Sequence, residues 1–108
     1  MSSSPSPSVG ELLQQHSFEF EGVNVAYYHG GTGKPLLLLH GSGPGASSLG
    51  NWGPSLPSLV RNFEVFAVDL IGFGKSGRKG EAPFFDFEMW VRQAQAMQQK
   101  LQEEIAQI

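Results

Sequence analysis

Four consecutive leucines run into a glycine-rich turn, Leu36-Leu37-Leu38-Leu39-His40-Gly41-Ser42-Gly43-Pro44-Gly45. This junction constrains the fold more than any other part of the chain. A short apolar run bounded by Pro35 and by glycines predicts a fully buried parallel strand. Gly41, Gly43 and Gly45 then let bare backbone N–H groups face a cavity instead of pairing in a sheet. The carboxyl end of a buried strand is where open α/β sheets bind ligands, and fixed backbone donors there can stabilise an anion.

The flanking residues predict a small α/β arrangement. Phe18-Glu19-Phe20 and Val23-Asn24-Val25 alternate apolar with polar around Glu21-Gly22, a hairpin signal with the phenylalanines and valines on the buried face. Before them, Glu11 to Gln15 reads as a helical turn, and after them His29 to Pro35 reads as a loop. Ser42 to Gly53 is loop chemistry. Pro54 then opens a helix with apolar positions Leu56, Leu59 and Val60, which Asn62 ends. Phe63 to Leu70 is a second buried strand, so the two strands and the helix between them form a βαβ unit with a parallel pair. Asp86 is the predicted N-cap of a long helix whose apolar positions are Phe87, Trp90, Val91, Ala94, Met97, Leu101, Ile105 and Ile108. The opposite face carries Gln93, Gln95, Gln98, Gln99 and Gln102.

Composition excludes several functions. A formal net charge of -3 argues against a nucleic-acid partner, and the absence of cysteine removes disulfides, thiolate metal sites and a cysteine nucleophile. No apolar run approaches the roughly 18 residues of a membrane span. Residues 1–10 read as a disordered Ser/Pro tail without the charge or apolar core of a secretory signal, so a cytoplasmic location is expected. His16 and His29 are isolated and suggest no metal site, and no cofactor is expected.

His40-Gly41-Ser42-Gly43-Pro44-Gly45-Ala46, then Asn51-Trp52, then Asp69-Leu70-Ile71-Gly72-Phe73-Gly74-Lys75-Ser76 resembles the N-terminal portion of the α/β-hydrolase fold superfamily. Within it, the pattern is most similar to the meta-cleavage product hydrolases, which cut a carbon–carbon bond in ring-opened aromatic compounds. The resemblance runs from about Phe18 to Leu101 and implies that residues 11–108 form a partial α/β-hydrolase domain. It implies that the backbone N–H of Ser42 is an oxyanion donor, that Gly41 and Gly43 shape the turn, and that Asn51 holds the polar end of a small-molecule substrate. It also implies that the leucine strand lies between the Phe63 strand and a further strand, so that alone it would be an exposed apolar edge.

A hydrolase of this fold also needs a Gly-x-Ser-x-Gly nucleophile elbow, an acid and a base histidine, in that order. No Gly-x-Ser-x-Gly occurs among these 108 residues. The expectation is therefore a chain truncated before the elbow, without triad-dependent turnover by itself, and requiring a complementing C-terminal fragment or prone to self-association. Two other readings stay open. Gly41 to Ala46 fits Gly-x-Gly-x-x-Gly/Ala, with Asp69 placed as a ribose-binding acid would be, which describes a dinucleotide-binding βαβ fragment. Pro44 and the interval before the helix argue against it. The other reading is a non-catalytic interaction module using the long helix. His40 is expected to order its turn, Asp69 the loop after it, and Ser76 to be structural, because Gly72 and Gly74 lack phosphate-loop spacing. Arg78 and Lys79 read as a solvated patch.

Overall fold

A computed structural model describes residues 12–41, 45–83 and 86–106, with side chains of the last helix described to Glu103. The Ser/Pro tail, Glu11, Ser42, Gly43 and Ile108 lie outside the described residues, as does the side chain of Ile105.

The chain forms β1 (Gln14–Phe20), β2 (Val23–Gly30), β3 (Lys34–Leu38), α1 (Ser48–Trp52), a 3₁₀ turn (Gly53–Ser55), α2 (Leu56–Asn62), β4 (Phe63–Val68) and α3 (Phe87–Ala106). The strands make one mixed sheet in the order β1-β2-β4-β3. β1 and β2 are antiparallel in the register Phe20↔Val23 and Phe18↔Val25. Glu21 and Gly22 both take positive φ (49° and 80°), as the two central residues of a type I′ hairpin turn must. β2 pairs antiparallel with β4, and β3 pairs parallel with β4 through Leu36↔Val65, Leu37↔Phe66 and Leu38↔Ala67. The expected hairpin, βαβ connection and long helix are all present.

The alternating strands divide the core between the two sheet faces. Val23, Val25, Tyr27, Phe66 and Val68 pack with Ile71 and with Met89, Met97 and Leu101 of α3. Tyr28, Leu38, Val65 and Ala67 pack with Leu13 and Leu56 on the other face, where Leu49, Trp52, Leu59 and Val60 of α1 and α2 add cover. The result is a three-layer α/β arrangement, each helix burying one side against the sheet.

Several local expectations are corrected. Of the expected Glu11–Gln15 helical turn, Leu12 is helical and Glu11 lies outside the described residues, while Gln14 and Gln15 pair with His29 and Tyr28 in β1. His29 and Gly30 belong to β2, and Lys34 and Pro35 to β3, so the predicted loop shrinks to Gly31–Gly33. The Ser42–Gly53 loop contains α1, whose N-cap Ser47 accepts a hydrogen bond from the Gly50 N–H at 3.0 Å. The leucine strand is not fully buried: β3 closes the described sheet on one side, Leu36 and Leu37 are half-buried, and Leu39 is exposed.

α3 buries only part of the stripe its sequence suggests: Met97 and Leu101 are in the core and Trp90 packs against it. Asp86 caps it as expected, its Oδ1 accepting from the Met89 N–H at 3.1 Å. The fully buried line, however, is Met89, Gln93, Met97 and Leu101, while Phe87 is 73% exposed and Val91 is also exposed. Among the described residues, no helix is long and apolar enough to cross a membrane.

Candidate functional site

The chemistry-bearing motifs converge where β3 and β4 end side by side. β3 gives way to Leu39, His40 and Gly41, and each step out of the sheet is tied down. The Trp52 indole N–H donates to the Leu39 carbonyl at 2.9 Å. His40 is buried; its Nε2 accepts from the Leu70 N–H at 3.0 Å, and its Nδ1 lies 2.6 Å from the Gly41 carbonyl. Those partners require a neutral ring protonated on Nδ1, with both nitrogens occupied. His40 is therefore a brace between the two strand ends, as its sequence position implied, and it has no nitrogen left for a base or a metal. The ring also meets Phe73 edge-on at 5.2 Å, and Phe73 in turn meets Trp90.

The Asp69-to-Ser76 loop is held by its own side chains. Asp69 is 1% exposed; Oδ1 accepts from the Ser48 N–H at 2.8 Å and Oδ2 from the Lys75 N–H at 2.9 Å. One carboxylate thus joins the start of α1 to the glycine loop. The Ser76 hydroxyl donates to the Asp69 carbonyl at 2.6 Å and accepts from the Ala26 N–H at 2.8 Å. Gly74 has φ +55°, and a Cβ there would fall on the Asp69 carboxylate. The spacing of Asp69, Gly72, Gly74 and Ser76 is accordingly a structural device in which each polar group satisfies buried backbone. Asp69 and Ser76 are not free for chemistry.

Gln93, which the sequence places on the outer glutamine face, is buried instead. Its Oε1 accepts from the Ile71 N–H at 3.0 Å and its Nε2 donates to the Asp69 carbonyl at 2.9 Å. The available signal was positional, since Gln93 lies four residues from both Met89 and Met97. Lys79 also departs from the solvated-patch reading, pairing with Asp86 at 3.0 Å. The Lys79 hydrogen bond first, and the Met89 N–H second, hold the Asp86 carboxyl below its usual range.

Among the residues expected to bind or act on substrate, Gly41 is exposed at the strand exit and Asn51 is exposed on α1. Ser42 and Gly43 lie outside the described residues. Leu39, His40, Gly41 and Leu70 border an apolar groove of about 470 Å³ whose far wall is Phe87, Trp90 and Val91 of α3. A second cavity, of about 630 Å³, is lined by the Gly45–Ser47 segment, by buried Tyr28 and by the glycine loop after Asp69. Among the described residues, no three His, Cys, Asp or Glu side chains cluster to hold a metal ion. The dinucleotide reading loses its support here. α1 begins only at Ser48 and is five residues long, and the Asp69 carboxylate is committed to two backbone N–H groups.

The profile of the alpha/beta hydrolase fold matches residues 34–108. A 2-hydroxy-6-oxo-6-(2'-aminophenyl)hexa-2,4-dienoic acid hydrolase of Metapseudomonas resinovorans is 46% identical over 57 residues, 53% of this chain and 20% of that protein. The 2-hydroxymuconate semialdehyde hydrolase of Pseudomonas sp. (strain CF600) is 37% identical over 73 residues, 68% of this chain and 25% of that protein. The solved structure of a meta-cleavage product hydrolase from Pseudomonas fluorescens IP01 superposes with TM-score 0.63 at 37% identity, covering 70% of this chain and 28% of that one. The chain thus spans a fifth to a quarter of the length of these two curated relatives.

Proposed function

The chain belongs to the α/β-hydrolase fold family, and from that premise we propose that it forms the oxyanion-turn side of a hydrolase acting at a carbonyl carbon of a small organic substrate. The observation that carries this reading is the braced exit of β3, where the Leu39 carbonyl and both His40 nitrogens are locked before the chain reaches Gly41. A stem held this way lets the following backbone donor meet developing charge without reorganising, which is how such donors lower a barrier.

The Ser42 N–H is the donor in this reading, with Gly41 and Gly43 leaving room for the substrate oxygen. When a nucleophile adds to the carbonyl, the oxygen gains charge and the Ser42 N–H hydrogen-bonds to it, contributing about 3 kcal/mol to the transition state. Asn51 holds the polar end of the substrate. The 108 residues hold no Gly-x-Ser-x-Gly, and this reading assigns none of them as nucleophile or base. Carbon–carbon bond hydrolysis of a ring-opened aromatic acid is the favoured reaction, because relatives named for such dienoate and semialdehyde substrates share 46% and 37% identity with the chain. Ester hydrolysis uses the same turn.

A chimera tests this. The matched 73-residue segment of the Pseudomonas 2-hydroxymuconate semialdehyde hydrolase is replaced by the corresponding segment of this chain. Turnover of 2-hydroxymuconate semialdehyde is expected within about tenfold of the parent. Ser42→Pro, which deletes the N–H, should then lower kcat about 100-fold with little change in KM. A folded chimera that is inert, or one in which Ser42→Pro turns over at the unsubstituted rate, rejects the proposal.

A further inference from the structure

The second cavity is a candidate binding site that the oxyanion-turn reading does not use. Its floor is Tyr28 of β2, 6% exposed, whose hydroxyl makes no hydrogen bond to the described residues. Its rim carries Lys75 and Arg78, whose charged ends likewise have no ion-pair partner among the described residues. Between floor and rim the wall carries the apolar side chains of Ala46, Leu49 and Phe73, the glycines Gly45, Gly72 and Gly74, and Ser47, whose hydroxyl oxygen accepts from the Gly50 N–H. Asp69 also borders the cavity, but both its oxygens accept backbone N–H groups and it is almost wholly buried.

The inventory is one-sided. Lysine and arginine offer only donors, and the tyrosine hydroxyl can donate without giving up another bond. The one carboxylate on the wall has its acceptors engaged. Burial first, and the Asp69 charge second, raise the Tyr28 pKa, so its proton stays on the oxygen. A neutral or cationic ligand would leave the two rim cations uncompensated, whereas an anion with an apolar body meets every surface.

We propose that Tyr28, Lys75 and Arg78 form a binding site for a small organic carboxylate, with the carboxylate at the Lys75–Arg78 rim and its apolar body against Leu49 and Phe73. Arg78 supplies a planar fork for the two carboxylate oxygens, and Lys75 adds a second charge. Tyr28 Oη is the interior donor for a polar substituent on the body. This site does not depend on the turn reading, and failure of the chimera would leave it intact.

Benzoate is the probe, titrated into the isotope-labelled full chain and followed by amide shifts. Saturable shifts are expected at Ala46, Phe73, Lys75 and Arg78, with Kd in the millimolar range typical of so small a ligand. Arg78→Gln and Lys75→Gln should each weaken binding about fivefold or more, and benzyl alcohol should bind at least about tenfold more weakly than benzoate. The spectrum of each variant reports its own folding, and both positions are exposed loop residues. Equal binding of benzyl alcohol and benzoate, or unchanged affinity in both variants, overturns the proposal. So do shifts confined to Phe87 and Val91, which would place the ring in the apolar groove. Tighter binding of inorganic phosphate than of benzoate would also overturn it, since the apolar wall would then contribute nothing.

Discussion

Gln93→Ala removes a buried side chain that joins α3 to the loop after β4. Two bonds go: Oε1 with the Ile71 N–H at 3.0 Å and Nε2 with the Asp69 carbonyl at 2.9 Å. They are not equivalent. The Asp69 carbonyl keeps the Ser76 hydroxyl at 2.6 Å, whereas the Ile71 N–H, in a residue that is 0% exposed, is left with no acceptor. An orphaned buried donor costs about 1–3 kcal/mol, and the lost Cγ methylene adds about 0.8 kcal/mol. The expected loss is therefore about 3 kcal/mol, a large part of the total stability of a small domain.

Gln95→Ala is the control. It makes the same change in helix propensity two residues along, at an exposed position, and should stay within about 0.5 kcal/mol of the unsubstituted chain. Urea unfolding followed by tryptophan fluorescence reads both, with the Gln93→Ala midpoint falling by roughly 1–3 M. Amide exchange at Ile71 should accelerate selectively. If Gln93→Ala and Gln95→Ala shift the midpoint equally, Gln93 is not the acceptor for this loop and the argument fails.

Gly74→Ala should destabilise by about 2 kcal/mol or more, since its Cβ would fall on the Asp69 carboxylate at a positive φ; the same urea assay checks it, and a neutral result would mean the loop is not seated on Asp69. The chain is expected to self-associate through the side of β3 that no other described strand covers and through the adjoining apolar groove, where Leu39 and Val91 are exposed. Sedimentation at rising concentration should show this, and Leu39→Lys with Val91→Lys should restore monomer. A monodisperse, cooperatively melting parent would contradict it. Asp86 has a folded-state pKa lowered chiefly by Lys79, so its stabilisation is present above the ordinary value of 3.8 and is lost as pH falls through the lower folded value. Thermal melts should therefore decline at acid pH below 3.8, less steeply in Asp86→Asn; parallel declines would refute the pairing.

Local chemistry carried much of this protein in its sequence. The Glu21-Gly22 turn, the alternation on either side of it, the apolar runs of β3 and β4, Pro54 before α2 and the Asp86 cap each act within a few residues. Each can be read without knowing what lies across the sheet. The motif from Asp69 to Ser76 was equally visible, and so was His40 as a brace. Two features depended on long-range placement. Strand order leaves β3 at the end of the described sheet, the edge that the family resemblance implied but that the residues alone do not show, and that turns a run of leucines with a buried appearance into a half-exposed edge. The direction in which α3 faces was decided by the loop after β4. The helix carries two apolar lines close together, and hydropathy alone cannot choose between them. The Ile71 N–H, buried 22 residues away in sequence, needs an acceptor. Gln93 turned inward satisfies it, and Phe87 and Val91 then lie outward, because an unpaired buried donor is costly and this side chain is the acceptor within reach.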